Sequence, residues 1–209
     1  MTNLTIYMEG GGDTAEQKAQ IRQGMDTFLS TWKNKARQKR WGWKLVPCGG
    51  RQQTYDAFIN ARCRAKDGEI IVLLVDSEAP VTAATRAIQH LRNRQGDHTW
   101  DLSGVPEEHI HLMVQAMEAW LAADPDKLEE WYGSTGFRRA NLPQRQNLEE
   151  EPKDDLEPKL KTATRETRRR EYHKIRHASE LLKLIRPEMV RQRCPRAGIF
   201  FDKLDELIG

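Results

Sequence analysis

The residues best suited to chemistry are acidic, and they fall in two short motifs. Glu9 opens Glu9-Gly10-Gly11-Gly12-Asp13, and Asp76-Ser77-Glu78 closes the apolar run Ile70 to Val75. Carboxylates are hard oxygen ligands, and with no cysteine pair near them they favour Mg²⁺ or Mn²⁺ over zinc. In extended chain Asp76 and Glu78 point together while Ser77 points away. If their strand neighbours the one before Glu9, about 4.8 Å away, all three acids can share a cation. Asp13, just past the triple glycine, is placed to lean into the same crevice. A cation held there would activate water and steady a leaving oxygen, which makes Glu9, Asp76 and Glu78 the candidate catalytic residues. The same acids could also do no more than cap helices that follow strands. Gly10 to Gly12 is no phosphate-binding Walker loop, because no Gly-Lys-Ser/Thr follows.

Cations supply the second chemistry. The net charge is +3, yet Lys159 to Arg176 carries eight Lys/Arg against Glu166 and Glu171, leaving an acidic remainder. Lys33 to Lys44 holds six more cations and no acid, with Trp32, Trp41 and Trp43 among them. Clustered cations interleaved with aromatics suit a polyanion, through counterion release and base stacking. Lys159, Lys161, Arg165, Arg168, Arg169, Arg170 and Lys174 are accordingly the candidate nucleic-acid contacts; plain solvation of helix faces is the alternative. Glu149, Glu150, Glu151, Asp154, Asp155 and Glu157 precede this run, where they could screen it as an electrostatic gate or simply solubilise a loop. His109 and His111 read as one strand face without a third metal ligand, and His173 and His177 as one helix face.

Stepwise periodicity supplies the elements that must hold these residues. Leu4 to Met8 reads as a strand, and Thr14 with Gln17 as a capping box opening one helix over about 15 to 39. Trp41 to Val46 reads as a strand, Tyr55 to Cys63 as a helix, and Ile70 to Val75 as a central parallel strand buried on both faces. A helix follows from Pro80 to Asn93, then a strand from His109 to Val114 and short helices at 117 to 123 and 125 to 131. This alternation predicts an α/β fold with a mostly parallel four-stranded sheet flanked by helices. Glu9 and Asp76 then meet at the carboxyl edge, where ligand crevices form. Residues 132–158, polar and interrupted by Pro143, Pro152 and Pro158, read as a long loop between this core (1–131) and a basic helical extension (159–209).

The order strand, Glu-Gly…Asp, helix, strand, helix, apolar strand, Asp-x-acid resembles the Toprim fold of topoisomerases, primases and OLD-type nucleases. Met8-Glu9-Gly10-Gly11-Gly12-Asp13, Asp76-Ser77-Glu78 and Met117-Glu118-Ala119-Trp120-Leu121-Ala122-Ala123-Asp124 together look like a bacterial Toprim-like family encoded beside ATPases in anti-phage defence loci. The likeness covers residues 4 to 124, with a looser one at Arg193-Cys194-Pro195 and Phe200/Phe201. Asp-Ser-Glu departs from the usual Asp-x-Asp, and a glutamate reaches one methylene further. The resemblance implies a Mg²⁺-dependent nuclease acting on DNA or RNA, the effector of a defence or toxin system. It adds Glu118 and Asp124 to Glu9, Asp13, Asp76 and Glu78 as metal ligands. It implies an ABC- or AAA-type ATPase partner and leaves homodimerisation open. A non-catalytic Toprim-like module that binds nucleic acid or docks on the ATPase is the alternative; a small-nucleotide enzyme is a third reading.

The remaining expectations follow from composition. No apolar stretch approaches the ~20 residues of a membrane span. Met1 to Met8 has no basic leader followed by a long apolar run, so no signal peptide is expected. Cys48, Cys63 and Cys194 are odd in number and lack Cys-x-x-Cys spacing, which argues against a disulfide scaffold or zinc ribbon and for a reducing, cytoplasmic setting.

Overall fold

A computed structural model describes residues 1–82 and 84–209 of the 209-residue chain. Four parallel strands form one sheet: β1 (Asn3–Met8), β2 (Gly42–Pro47), β3 (Glu69–Asp76) and β4 (Ile110–Met113), in the order β2-β1-β3-β4. Crossovers α1 (Ala15–Phe28), α2 (Ser30–Gln38), α3 (Arg51–Cys63) and α4 (Ala87–Asn93) flank it. Past β4 come α5 (Glu118–Ala122), α6 (Pro125–Tyr132), α7 (Lys153–Thr164), α8 (Lys174–Leu182), α9 (Pro187–Arg193) and α10 (Pro195–Ile208). The fold is thus α/β, with a fully parallel sheet and a C-terminal helical extension.

β3 is apolar throughout because both its faces are covered. Val72 and Leu74 join Leu4, Ile6 and Met8 of β1 in a core with α1 and the later helices. Ile71, Leu73 and Val75 face a second core with Phe58 of α3 and Ile88 and Leu91 of α4. The extension belongs to the first core. Phe201 of α10 stacks on Trp32 at 4.7 Å and lies 5.9 Å from Phe28, while Phe200 lies 6.2 Å from Trp120 and 4.9 Å from His111 of β4.

Several local expectations change. The helix expected over 15 to 39 starts at the predicted capping box, Thr14 accepting from the Gln17 amide at 3.2 Å, but breaks at Leu29. Thr27 Oγ1 binds back to the Gln23 carbonyl at 3.0 Å, a contact that bends helices, and Leu29 is buried at the bend. The helix expected from Pro80 begins only at Ala87, because Arg196 of α10 donates to the carbonyls of Thr82 and Thr85 and holds that stretch extended or turned; Ala83 lies outside the described residues. The expected loop 132–158 contains two short 3₁₀ turns and the start of α7. Leu142 and Leu148 are buried in the main core, which anchors this segment. His109 closes a 3₁₀ turn, so only His111 lies in β4, where burial lowers its pKa to about 4. Among the described residues no helix is long and apolar enough to cross a membrane.

Candidate metal centre

Met8 stands beside Leu74 in the β1/β3 register, so the two central strands release their acids at one edge. Glu9 is the first residue past β1, and Asp76 is the last of β3. Glu78 arrives differently from the extended-chain expectation. It has left the strand and adopts a left-handed backbone, φ 63°, which a non-glycine residue holds only when its surroundings enforce it. Those surroundings are Gln115, also at φ 63°, whose carbonyl accepts the Glu78 amide at 3.1 Å, and Ser77 Oγ, which accepts the Gln115 amide at 2.7 Å. The strained turn brings Glu78 back so that one oxygen each of Glu9, Asp76 and Glu78 lie within 4.8 Å of one another.

Each carboxylate has one oxygen pinned by the protein. Glu9 Oε2 accepts from the Asp76 amide at 3.1 Å and from Arg51 at 3.0 Å. Asp76 Oδ1 accepts from the Met117 amide at 3.0 Å. Glu78 Oε2 is paired with Lys153 and, at 3.8 Å, with Arg94. The second oxygens accept no hydrogen bond among the described residues. Burial pushes Asp76 well above the ordinary carboxylate range; neighbouring Glu9 adds to this and Lys174 opposes it. Burial raises Glu9 as well, with Arg51 pulling it back. Three oriented oxygens, poorly solvated and mutually repelling, form a donor set that suits a hard divalent cation.

The other expected ligands stand apart from this trio. Asp13 is exposed at the rim of the adjoining cleft, its amide bound to Gln17 Oε1 at 3.1 Å. Glu118 is buried and turned to Tyr172 at 3.2 Å and Lys174 at 3.3 Å. Asp124 caps α6 and holds Arg186 through two bonds of 2.7 Å. Glu118 and Asp124 are thus paired with residues of the extension, and neither belongs to the three-carboxylate group.

The basic run divides in the same way. Lys159 pairs with Glu151 and Asp155, and Lys161 with Glu157 at 2.9 Å, so both are neutralised locally. Arg169 lies over Trp131 at 4.4 Å and donates to its carbonyl. Arg165, Arg168 and Arg170 are exposed without an ion pair among the described residues. Lys174 returns to the centre, where it lines the cleft beside Asp76. Of the acids read as a gate, Glu149 and Glu151 are buried, Glu149 accepting the Arg196 amide at 2.8 Å.

Sequence reasoning passed over Arg51, Arg94, Asp97 and Lys153. Arg51 opens α3 and donates to Glu9, to the Asp76 carbonyl and to buried Asp97 at 2.6 Å. Its signal was present: Gly49-Gly50-Arg51 follows β2, whose carboxyl edge is the edge that carries Glu9. Lys153 and Asp97 left none, since only the folded chain brings them there.

The fold and this site define an α/β protein with a three-carboxylate centre at the carboxyl edge of a parallel sheet. The family model described as a domain of unknown function, DUF4276, matches residues 8–205, and the chain belongs to that family. No curated protein and no solved structure matches it.

Proposed function

We propose that this protein is a metal-dependent phosphodiesterase of nucleic acid, with Glu9, Asp76 and Glu78 as the ligands of Mg²⁺ or Mn²⁺. The observation that carries this reading is the convergence of three carboxylates from two adjacent parallel strands, each with one oxygen pinned and one left over. A bound divalent cation supplies Lewis acidity at a phosphoryl oxygen and lowers the pKa of water. Arg51 fixes Glu9 in orientation, and the raised affinity of Glu9 for a proton suits it to proton transfer at its outer oxygen. Lys174 offers a positive charge to a phosphate entering the cleft, and Arg165, Arg168 and Arg170 offer a backbone-binding surface. The Toprim-like resemblance of the two acidic motifs extends the proposal to a cytoplasmic defence effector working with an ATPase.

One observation favours a second reading, a non-catalytic Toprim-like module. Glu118 and Asp124, which would complete a larger ligand set, are committed to Lys174, Tyr172 and Arg186, and Glu78 is already paired with Lys153. Purified protein incubated with Mn²⁺ and labelled DNA or RNA separates the two. The phosphodiesterase reading expects cleavage that Asp76→Asn and Glu9→Gln each reduce by about a hundredfold or more. Wild-type activity in both variants would remove it.

A further inference from the structure

A cleft of about 290 Å³ opens directly beside Glu9 and Asp76. Its lining is mixed: Lys174 is the cation beside the two acids, and Ile21 of α1, Met117 before α5 and Ile175 of α8 are apolar. Ile175 is 42% exposed, one of three large hydrophobic side chains so exposed among the described residues, and it fronts this cleft. Glycines make the rim. A Cβ on Gly11 would stand 2.7 Å from the Ile21 side chain, so the loop can lie against Ile21 only without one. A Cβ on Gly10 would meet nothing within 4 Å, so at that residue the rim leaves open space. Reciprocal bonds between Gly10 and Gly49, 2.8 and 3.0 Å, fix the rim in place.

We infer that this cleft receives the base of one unpaired nucleotide, so that the strand acted on is single-stranded or locally opened at the reacting position. The inference rests on the phosphodiesterase reading for its reaction and for the phosphate of its ligand, but not for the base. The volume lies near the ~300 Å³ lower end of small-ligand sites, which gives room for a nucleobase. Apolar side chains in a pocket beside the reacting groups are how enzymes hold a nucleobase taken out of its stack. The ligand must also carry an anion at the mouth, because Lys174 and a cation on the acids would meet it there. A flat apolar body joined to a phosphate describes a nucleotide. The exposed Arg165, Arg168 and Arg170 then serve the flanking strand rather than the base.

The test uses the full chain and uncharged probes. Adenosine, uridine and ribose are titrated in EDTA by ligand-observed NMR, so the result does not depend on metal. The nucleosides are expected to bind about tenfold more tightly than ribose. Ile175→Ser, at an exposed position whose unchanged Tm checks the fold, is expected to erase most of that ratio. Labelled strands in Ca²⁺ provide the second arm: a single strand and a duplex with a central bubble should bind about tenfold more tightly than the closed duplex. Equal binding of ribose and nucleoside, an unchanged ratio in Ile175→Ser, or equal binding of closed and opened duplex would each overturn the inference. Failure of Mn²⁺-dependent cleavage with base-dependent binding intact would remove the phosphodiesterase reading and leave the base site standing.

Discussion

Asp76 is 6% exposed and sits between two other carboxylates, so its proton is held more tightly in the folded chain than in the unfolded one. Below the ordinary carboxylate pKa the group is neutral in both states and costs nothing; as pH climbs through the raised value, the native state loses stability. Asp76→Asn should therefore match wild type in stability only below the ordinary Asp range, near pH 3, and be more stable at pH 8 without metal. Each kcal/mol relieved appears as about 2–4 °C in Tm. Millimolar Mn²⁺ should raise the wild-type Tm at pH 8 and leave Asp76→Asn nearly unmoved, which calorimetry reads directly. Lys153 bears on the same equilibrium, because it occupies Glu78 before a divalent ion does. Lys153→Met should tighten Mn²⁺ binding several-fold by titration calorimetry; weaker binding would mean that Lys153 orients Glu78 instead. Arg51 is the structural keystone among these residues. Its loss leaves Asp97, 2% exposed, with Arg94 at 3.1 Å as its one cation among the described residues, and Arg51→Met should cost about 3–5 kcal/mol in urea unfolding.

At the scale of elements, the cleft owes its apolar wall to the crossing of α1 and α8. A Cβ on Gly24 would stand 2.5 Å from the Ser179 carbonyl oxygen and 2.9 Å from its Cα, so the two helices touch there backbone to backbone. Ile21 and Ile175 lie three and four residues before the contact and flank the cleft together. Gly24→Ala, which would favour an isolated helix, should here destabilise by about 1–3 kcal/mol and push α8 away, lowering nucleoside affinity as well. In sequence Gly24 reads only as the weak residue of a helix, since the partner it admits is more than 150 positions away. That contrast holds generally. Strands β1 and β3, the Thr14 cap and the three acids were legible because hydrophobic period, capping chemistry and the carboxyl-edge rule are local signals. The break at Leu29, the late start of α4 and the partners of Glu78 were not, because Thr27, Arg196 and Lys153 act through contacts that only packing creates.

Across the whole molecule, the extension and the sheet share one core, and the segment between them is structural. Glu149 illustrates it: its carbonyl accepts from Gln115, the residue that braces Glu78, while its carboxylate accepts the first amides of α10. Burial lifts its pKa from 4.5 to about 7, so ionisation of Glu149 weakens the fold as pH rises between those values. Glu149→Gln should stabilise the protein at pH 8 by up to ~3 kcal/mol and have no such effect at pH 4, as denaturant titrations at the two pH values will reveal. On the outer surface, replacing Arg165, Arg168 and Arg170 by Ser should lower the salt dependence of single-strand binding by up to about 2 in log–log slope, 0.7 per lost phosphate contact. An unchanged slope would assign these arginines to solvation.

The aromatic junction of Phe200 and Phe201 with Trp32, Trp120 and His111 has a consequence in time. β4 ends at Met113, whereas the rings that cover it come from α10, which begins at Pro195. On a ribosome adding about 5–20 residues each second, the strands wait some 4–16 s for the helix that completes their core. For most of that interval Asp124 lacks Arg186 and Glu118 lacks Lys174. A half-made chain therefore carries its acids without the cations that balance them, and the cleft, whose wall needs Ile175, does not yet exist. The cleft is thus withheld from nascent chains by the order of synthesis alone.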